Sequence, residues 1–280
     1  MYLNIKKNKN IIFDHSHSVS ETNQPLTKSM LLQLEMYKTE NYYKLIKILE
    51  PYGFLYSTTH LCDFSISHIV KDRLFFEFFE IFVNVQLNET TNVFSTNDIF
   101  LDFLTYKSFK YTFDEKCNLC FFDIHMTKKE IITSIVKKQS DNGTSIIKAF
   151  CNNQTTELVY FLSTMYDVIL FRPKITIDNY VFIICQNYQN TYLEINDDIN
   201  LYDKIPLYIM NNINEFYTII QQRVLYLQSQ IVFYSLHENN EKIKEIKNKN
   251  ISNTIKWCEL YGIPYNNIKI NIFSDEIKLI

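Results

Sequence analysis

At 280 residues the chain suits one large domain, or one domain with an extension. An apolar fraction of 46% and an aromatic fraction of 15% exclude a disordered chain. A formal net charge of −3 excludes a global basic field for nucleic acid, but not a local basic patch. In chain order, residues 1–30 are polar and read as a solvated arm, whose Asp14-His-Ser-His17 is a His-x-His pair lacking a third metal ligand. No signal-type apolar core follows Met1, and no stretch approaches the roughly 18 uncharged apolar residues of a membrane span. An intracellular, cytoplasmic setting is therefore the expectation. The spacing of Met30, Leu31, Leu34, Leu45 and Leu49 predicts a helix over 28–49, stopped by Pro51 and Gly53. A strand over 54–62 and a long helix over 64–87 follow, with Phe75, Phe76, Phe78 and Phe79 as core.

Residues 92–95 read as a short strand, Thr96-Asn97-Asp98 as a helix cap before 99–106, and 109–113 as another short strand. Then come a strand over 118–123, a helix over 127–138, an Asp141-Asn-Gly turn, a strand over 144–150 and a helix over 155–166. Strands over 168–171 and 180–185, joined through Pro173, read as an antiparallel pair at one edge. A long helix over 208–236, a Lys-rich joint over 239–250 and a terminal helix over 251–261 complete the chain. Trp257 anchors that last helix, and Gly262 and Pro264 end it. This alternating series predicts a doubly wound, Rossmann-like α/β sandwich. The expected organisation is an arm (1–30), an α/β domain (31–190) and a helical extension (191–280).

Two of the predicted strands end in opposite charges. Asn118-Leu-Cys-Phe-Phe-Asp123 ends in an acid, and Gly143-Thr-Ser-Ile-Ile-Lys148 in a base. Open α/β sheets place their chemistry at the carboxyl ends of such strands, so the pair marks a candidate site. Plainer readings stand beside it: Asp123 as a helix cap, and Lys148 as a solvated strand-end lysine. Only three glycines are present, and none lies where a cofactor loop needs one. Cys117-Asn-Leu-Cys120 has CxxC spacing but no matching second pair, and the six cysteines sit mostly in apolar runs as small hydrophobes.

The order of elements resembles the FtsJ-type RNA ribose 2′-O-methyltransferases, including viral and cap-specific members. Asn41-Tyr-Tyr-Lys44-Leu-Ile-Lys-Ile48 is similar to the family's early helix, whose pattern is aromatic-Lys-Leu-Leu-Glu-Ile. The strands ending at Asp123 and Lys148 resemble its fourth and fifth strands. Asp167-Val-Ile-Leu-Phe-Arg172-Pro-Lys174 followed by Tyr180-Val-Phe-Ile-Ile-Cys185 resembles its last pair, and Lys256-Trp-Cys-Glu-Leu-Tyr-Gly-Ile-Pro264 the end of large-DNA-virus members. The resemblance implies a methyltransferase fold, S-adenosylmethionine as cofactor, and RNA, above all capped mRNA, rather than DNA or a membrane as partner. It also implies a Lys-Asp-Lys-Glu tetrad. Lys44, Asp123 and Lys148 take its first three places; the fourth falls on Tyr180, and on Asp178 only if the strand register differs. A lysine flanked by an acid and a second lysine can be tuned to deprotonate a ribose hydroxyl.

The matched first strand runs Thr59-His-Leu-Cys62-Asp63-Phe64, so the resemblance places the cofactor at Cys62, Asp63 and Phe64, with the family's glycine loop missing. The acid expected after the second strand is offered by Asn97 or Asp98. The other expectation is a catalytically inactive methyltransferase-fold subunit that stabilises or stimulates an RNA-capping enzyme. The small, non-catalytic subunit of the poxvirus capping enzyme is a precedent.

Overall fold

The computed structural model describes residues 2–5, 11–13, 52, 72–84, 90–189, 205–236, 240–263, 268–269 and 278–279. The predicted helix over 28–49, the predicted strand over 54–62 and the His-x-His pair lie outside them. The chain divides into two compact units, residues 1–20 with 77–221, and 21–76 with 222–280.

The first unit holds an eight-stranded mixed sheet. Its strands are β1 (Tyr2–Ile5), β2 (Ile11–Phe13), β3 (Thr90–Ser95), β4 (Lys110–Thr112), β5 (Cys117–Phe122), β6 (Gln139–Phe150), β7 (Asp167–Phe171) and β8 (Tyr180–Gln186). They lie in the order β2-β1-β7-β8-β6-β5-β3-β4. β3 runs parallel to β4 and β5, and β5 parallel to β6, whereas β8 is antiparallel to both β6 and β7. This is an α/β architecture compatible with the Rossmann-like one expected, and β7 and β8 form the antiparallel pair predicted.

β5 and β8 are apolar without alternation because both faces of the sheet are covered, which is how a doubly covered sheet reads in sequence. On one face, Phe122, Ile147, Val181 and Ile183 pack in a core with Ile131 and Ile135 of α3 (Lys128–Lys138), Leu158 and Val159 of α4 (Asn153–Leu162), and Ile213 and Phe216 of α5 (Leu207–Leu236). The other face is aromatic. Phe121 stacks on Phe100 of α2 (Asp98–Tyr106) at 4.9 Å and meets Phe78 of α1 (Arg73–Ile81) edge-on at 5.2 Å.

Three local readings change. The arm contributes β1, which pairs with β7, and β2, so the β7–β8 hairpin is not the sheet edge. The Asp141-Asn-Gly segment is not a turn. It is a bulge inside β6, where Ser140–Gly143 face the single residue Asn118 between the pairs Cys117–Gln139 and Leu119–Thr144. The reading of Asp123 as the cap of α3 also fails. Thr127 is that cap, and its hydroxyl and backbone N–H are answered by the Glu130 carboxylate in a capping box.

These bonds hold the Glu130 carboxyl below its ordinary range, the backbone N–H of Thr127 contributing most. A depressed carboxyl contributes stability above its unfolded value, near 4.3, and that contribution is lost as pH falls through the folded value. Thr127→Ala is therefore expected to cost about 1 kcal/mol at neutral pH. Glu130→Gln should instead lose the part of the stability that falls away below about pH 4, as read by urea unfolding across pH, and a pH dependence unchanged from wild type would refute the role of Glu130.

In the second unit, α6 (Asn240–Tyr261) is one continuous helix. The Lys-rich joint expected over 239–250 is its first half, since Lys and Glu are good helix formers. Gly262, at φ 64°, ends it. Trp257 is buried against Phe76 and Tyr261, as expected of an anchor. No helix among the described residues is long and apolar enough to cross a membrane.

Candidate functional site

From β3 the chain passes through α2 to β4 on one side, then returns to place β5 on the other side of β3. The strand order therefore reverses between β3 and β5. In open α/β sheets ligands lie outside the carboxyl ends of the strands at such a switch point. The first turn at this crevice is Ser95-Thr96-Asn97-Asp98, between β3 and α2.

This revises the placing of Thr90–Ser95 as a second strand. It lies directly against β5, and only the three-residue β4 lies beyond it among the described strands. Asp98 is accordingly not at the end of a second strand. It is an exposed acid in the first turn of α2, where it complements the helix dipole. Cys62, Asp63, Phe64 and Lys44 lie outside the described residues.

The mouth of the crevice is bridged by hydrogen bonds. The Thr96 backbone N–H donates to the Phe121 carbonyl at 3.2 Å, and the Asp123 N–H donates to the Thr96 hydroxyl at 3.0 Å. The Asn97 carboxamide donates to Asp123 Oδ2 at 2.5 Å, while its Oδ1 accepts the Ile99 N–H at 2.9 Å and caps α2. Ser95 Oγ accepts the Asn97 N–H, and Asp123 Oδ1 accepts the Ile124 N–H. The polar groups of this turn are thus satisfied by the turn and by β5.

Lys148 stands in the same row as Asp123. Phe122 pairs with Ile147, so Asp123 and Lys148 occupy the next row, with Phe182 of β8 beyond Lys148. The two charges that marked the site in sequence are brought together by register, but no ion pair joins them. The half-buried Lys148 instead puts its ammonium over the Tyr180 ring, 4.2 Å from the centroid. Such a contact is worth about 0.5–2 kcal/mol. Tyr180 and Asp178 lie in different settings. Tyr180 opens β8 opposite Phe150, whereas Asp178 is exposed in the preceding loop and only its carbonyl is engaged, by Arg172.

One polar residue of this cluster was not legible beforehand. Glu77 of α1 is buried, and its Oε1 accepts the Tyr180 phenol at 2.5 Å and the Thr176 hydroxyl at 2.6 Å. Three residues on, buried Glu80 accepts the Lys174 backbone N–H at 2.6 Å. From within the hairpin, buried Arg172 donates to the carbonyls of Thr176, Asp178 and Tyr180. The β7–β8 loop is therefore held from inside by a guanidinium and from α1 by two carboxylates.

The CxxC pair is buried and reduced, and burial pushes both thiols up. Cys151 is pushed up to about 12, also by burial. These are packing cysteines in apolar surroundings.

No protein-family model matches the chain, and no curated protein matches it.

Proposed function

We propose that the chain is a catalytically inactive, FtsJ-like methyltransferase-fold subunit that stabilises or stimulates an RNA-capping or RNA-processing enzyme. The observation that carries this reading is the set of groups around Lys148. The helix that leads to the switch-point strand is α1, and it reads Phe76-Glu77-Phe78-Phe79-Glu80-Ile81. Lys44, which the resemblance puts in the first place of the tetrad, lies outside the described residues, and the group that α1 brings to Tyr180 is the carboxylate of Glu77. The last place of the tetrad holds Tyr180 rather than an acid. Glu77 and Tyr180 are joined by their own hydrogen bond, and Lys148 rests on the phenol ring. A ribose hydroxyl approaching Lys148 would meet a phenol and, behind it in the hydrogen-bond chain, an acid already occupied by two hydroxyls.

The crevice supports the same reading. Cofactor loops of this architecture use glycine so that the backbone can approach the ligand closely. Here that turn carries Thr96 and Asn97, whose side chains bond across to β5. Those residues do not fit S-adenosylmethionine. The enzyme reading keeps one observation in its favour, the row that holds Asp123 beside Lys148.

Calorimetry with S-adenosylmethionine, together with methyl transfer to capped RNA, separates the two. The expected result is no heat at millimolar cofactor and no transfer, with a rise in the rate of a partner capping methyltransferase when the chain is added. Saturable cofactor binding, with transfer abolished by Lys148→Ala, would overturn the proposal in favour of the enzyme.

A further inference from the structure

The sheet ends on a strand with an open side. β4 is the last in the strand order, and among the described residues only β3 pairs with it. In a parallel pair alternate residues bond inward, so every second N–H and C=O of β4 is aimed away from the sheet. We propose that this edge pairs with the same edge of a second copy of the chain, antiparallel and centred on Thr112, so that the two sheets join into one. The inference stands apart from the inactive reading above.

The residues of the edge argue for that occupant. Lys110, Thr112, Phe113 and Asp114 are exposed, and Tyr111 is half-buried. Phe113, 65% exposed, leaves a large apolar ring in water beside the open strand, edge-on to Tyr111 at 5.6 Å. The Tyr111 phenol lies 3.4 Å from the Thr105 hydroxyl of α2, which puts the two rings on the α2 face of the sheet. Lys110, Thr112 and Asp114 alternate onto the other face.

The run Lys110-Tyr-Thr-Phe-Asp114 is complementary to its own reverse. A two-fold axis at Thr112 sets Lys110 opposite the partner's Asp114, and Tyr111 opposite the partner's Phe113. Symmetry makes each of these contacts twice. Opposite charges and paired aromatics are the cross-strand contacts that stabilise an antiparallel pair. A lysine on an edge strand ordinarily repels a passing strand. Here it excludes partners without an acid in the facing place, and it fixes the register. A slip of two residues one way sets Lys110 opposite Thr112, and the other way opposite Lys116. The first leaves the charge unanswered and the second opposes like charges. So short a strand covers less than the roughly 800 Å² per partner of a stable dimer. The association is therefore weak, with a dissociation constant on the order of 10–100 µM.

The test is sedimentation velocity of the full chain over about 1–500 µM. Wild type should shift from monomer to dimer across that range. Lys110→Glu and Asp114→Lys alter exposed side chains, so both should fold with a circular dichroism spectrum like that of wild type. Each alone should weaken the dimer at least tenfold. Mixed in equal amounts they should dimerise again, because one edge then carries acids at both places and the other carries lysines. A wild type that stays monomeric throughout overturns the proposal. So does a dimer that either single variant leaves intact, and so do the two variants remaining monomeric when mixed.

Discussion

Glu77→Ala is expected to destabilise the sheet unit by roughly 3–5 kcal/mol, which makes it among the most damaging substitutions in the chain. Glu77 is fully buried and accepts two hydroxyl hydrogen bonds, from Thr176 and Tyr180. Truncation leaves both donors without that acceptor in a dry environment, at about 1–3 kcal/mol each. At about 2–4 °C per kcal/mol for a unit of this size, the thermal midpoint should fall by roughly 10–15 °C. Glu77→Gln keeps one carbonyl acceptor and the side-chain volume, and should lose less than half as much. Tyr180→Phe tests the partner. A double-mutant cycle with Glu77→Ala should give a coupling of roughly 1–3 kcal/mol. A Glu77→Ala protein within 1 kcal/mol of wild type, or a cycle without coupling, would remove Glu77 from the cluster and with it the main support for the inactive reading.

Glu77 also shows why part of the site was illegible in sequence. Its partners lie 99 and 103 residues away, and nothing local distinguishes a buried glutamate among phenylalanines from one on the wet side of an amphipathic helix. Asp123 and Lys148 were legible because each ends an apolar run, and a run with both faces covered carries its own signature. The Asn97 cap was legible too, since short polar side chains before a helix have a local physical reason. The place of β3 was not. Whether Thr90–Ser95 lies first or second from β5 depends on which strands come to flank it, a non-local outcome absent from its own residues. β1 and β2, at four and three residues, were too short to stand out from a polar arm. The Lys-rich start of α6 misled for the opposite reason: charge was read as a break, although charged straight-chain residues favour helix.

Gly143→Ala is expected to cost roughly 1–3 kcal/mol although the added group is a single methyl. The resemblance treats Gly143 as the first residue of the strand that ends in Lys148. The structure gives that glycine a packing reason. A Cβ there would stand 1.8 Å from Gln139 Nε2 and 2.9 Å from the Ser140 carbonyl oxygen. A collision with a flexible exposed side chain would be cheap, but Gln139 is buried and committed. Its Nε2 donates to the Cys117 carbonyl at 2.9 Å, and its Oε1 accepts the Ser145 hydroxyl at 2.6 Å. Ser145 in turn lies 3.2 Å from the buried Tyr166 hydroxyl. Burial of Tyr166 pushes its phenol well above the usual range, so it stays a neutral partner in the network. To admit the methyl, either Gln139 gives up these bonds, at about 1–3 kcal/mol, or the β6 bulge shifts against the Ser140 carbonyl, a strain of about 1–3 kcal/mol. Gln139→Ala separates the two terms. It removes the side-chain obstruction and should lower the cost of Gly143→Ala in its background to that of the Ser140 carbonyl contact alone, whereas in wild type the same change lowers the urea midpoint further. An equal cost in both backgrounds would mean that the bulge rather than Gln139 demands glycine. No cost in either would mean that the twelve-residue strand carrying Lys148 does not depend on the packing of its bulge.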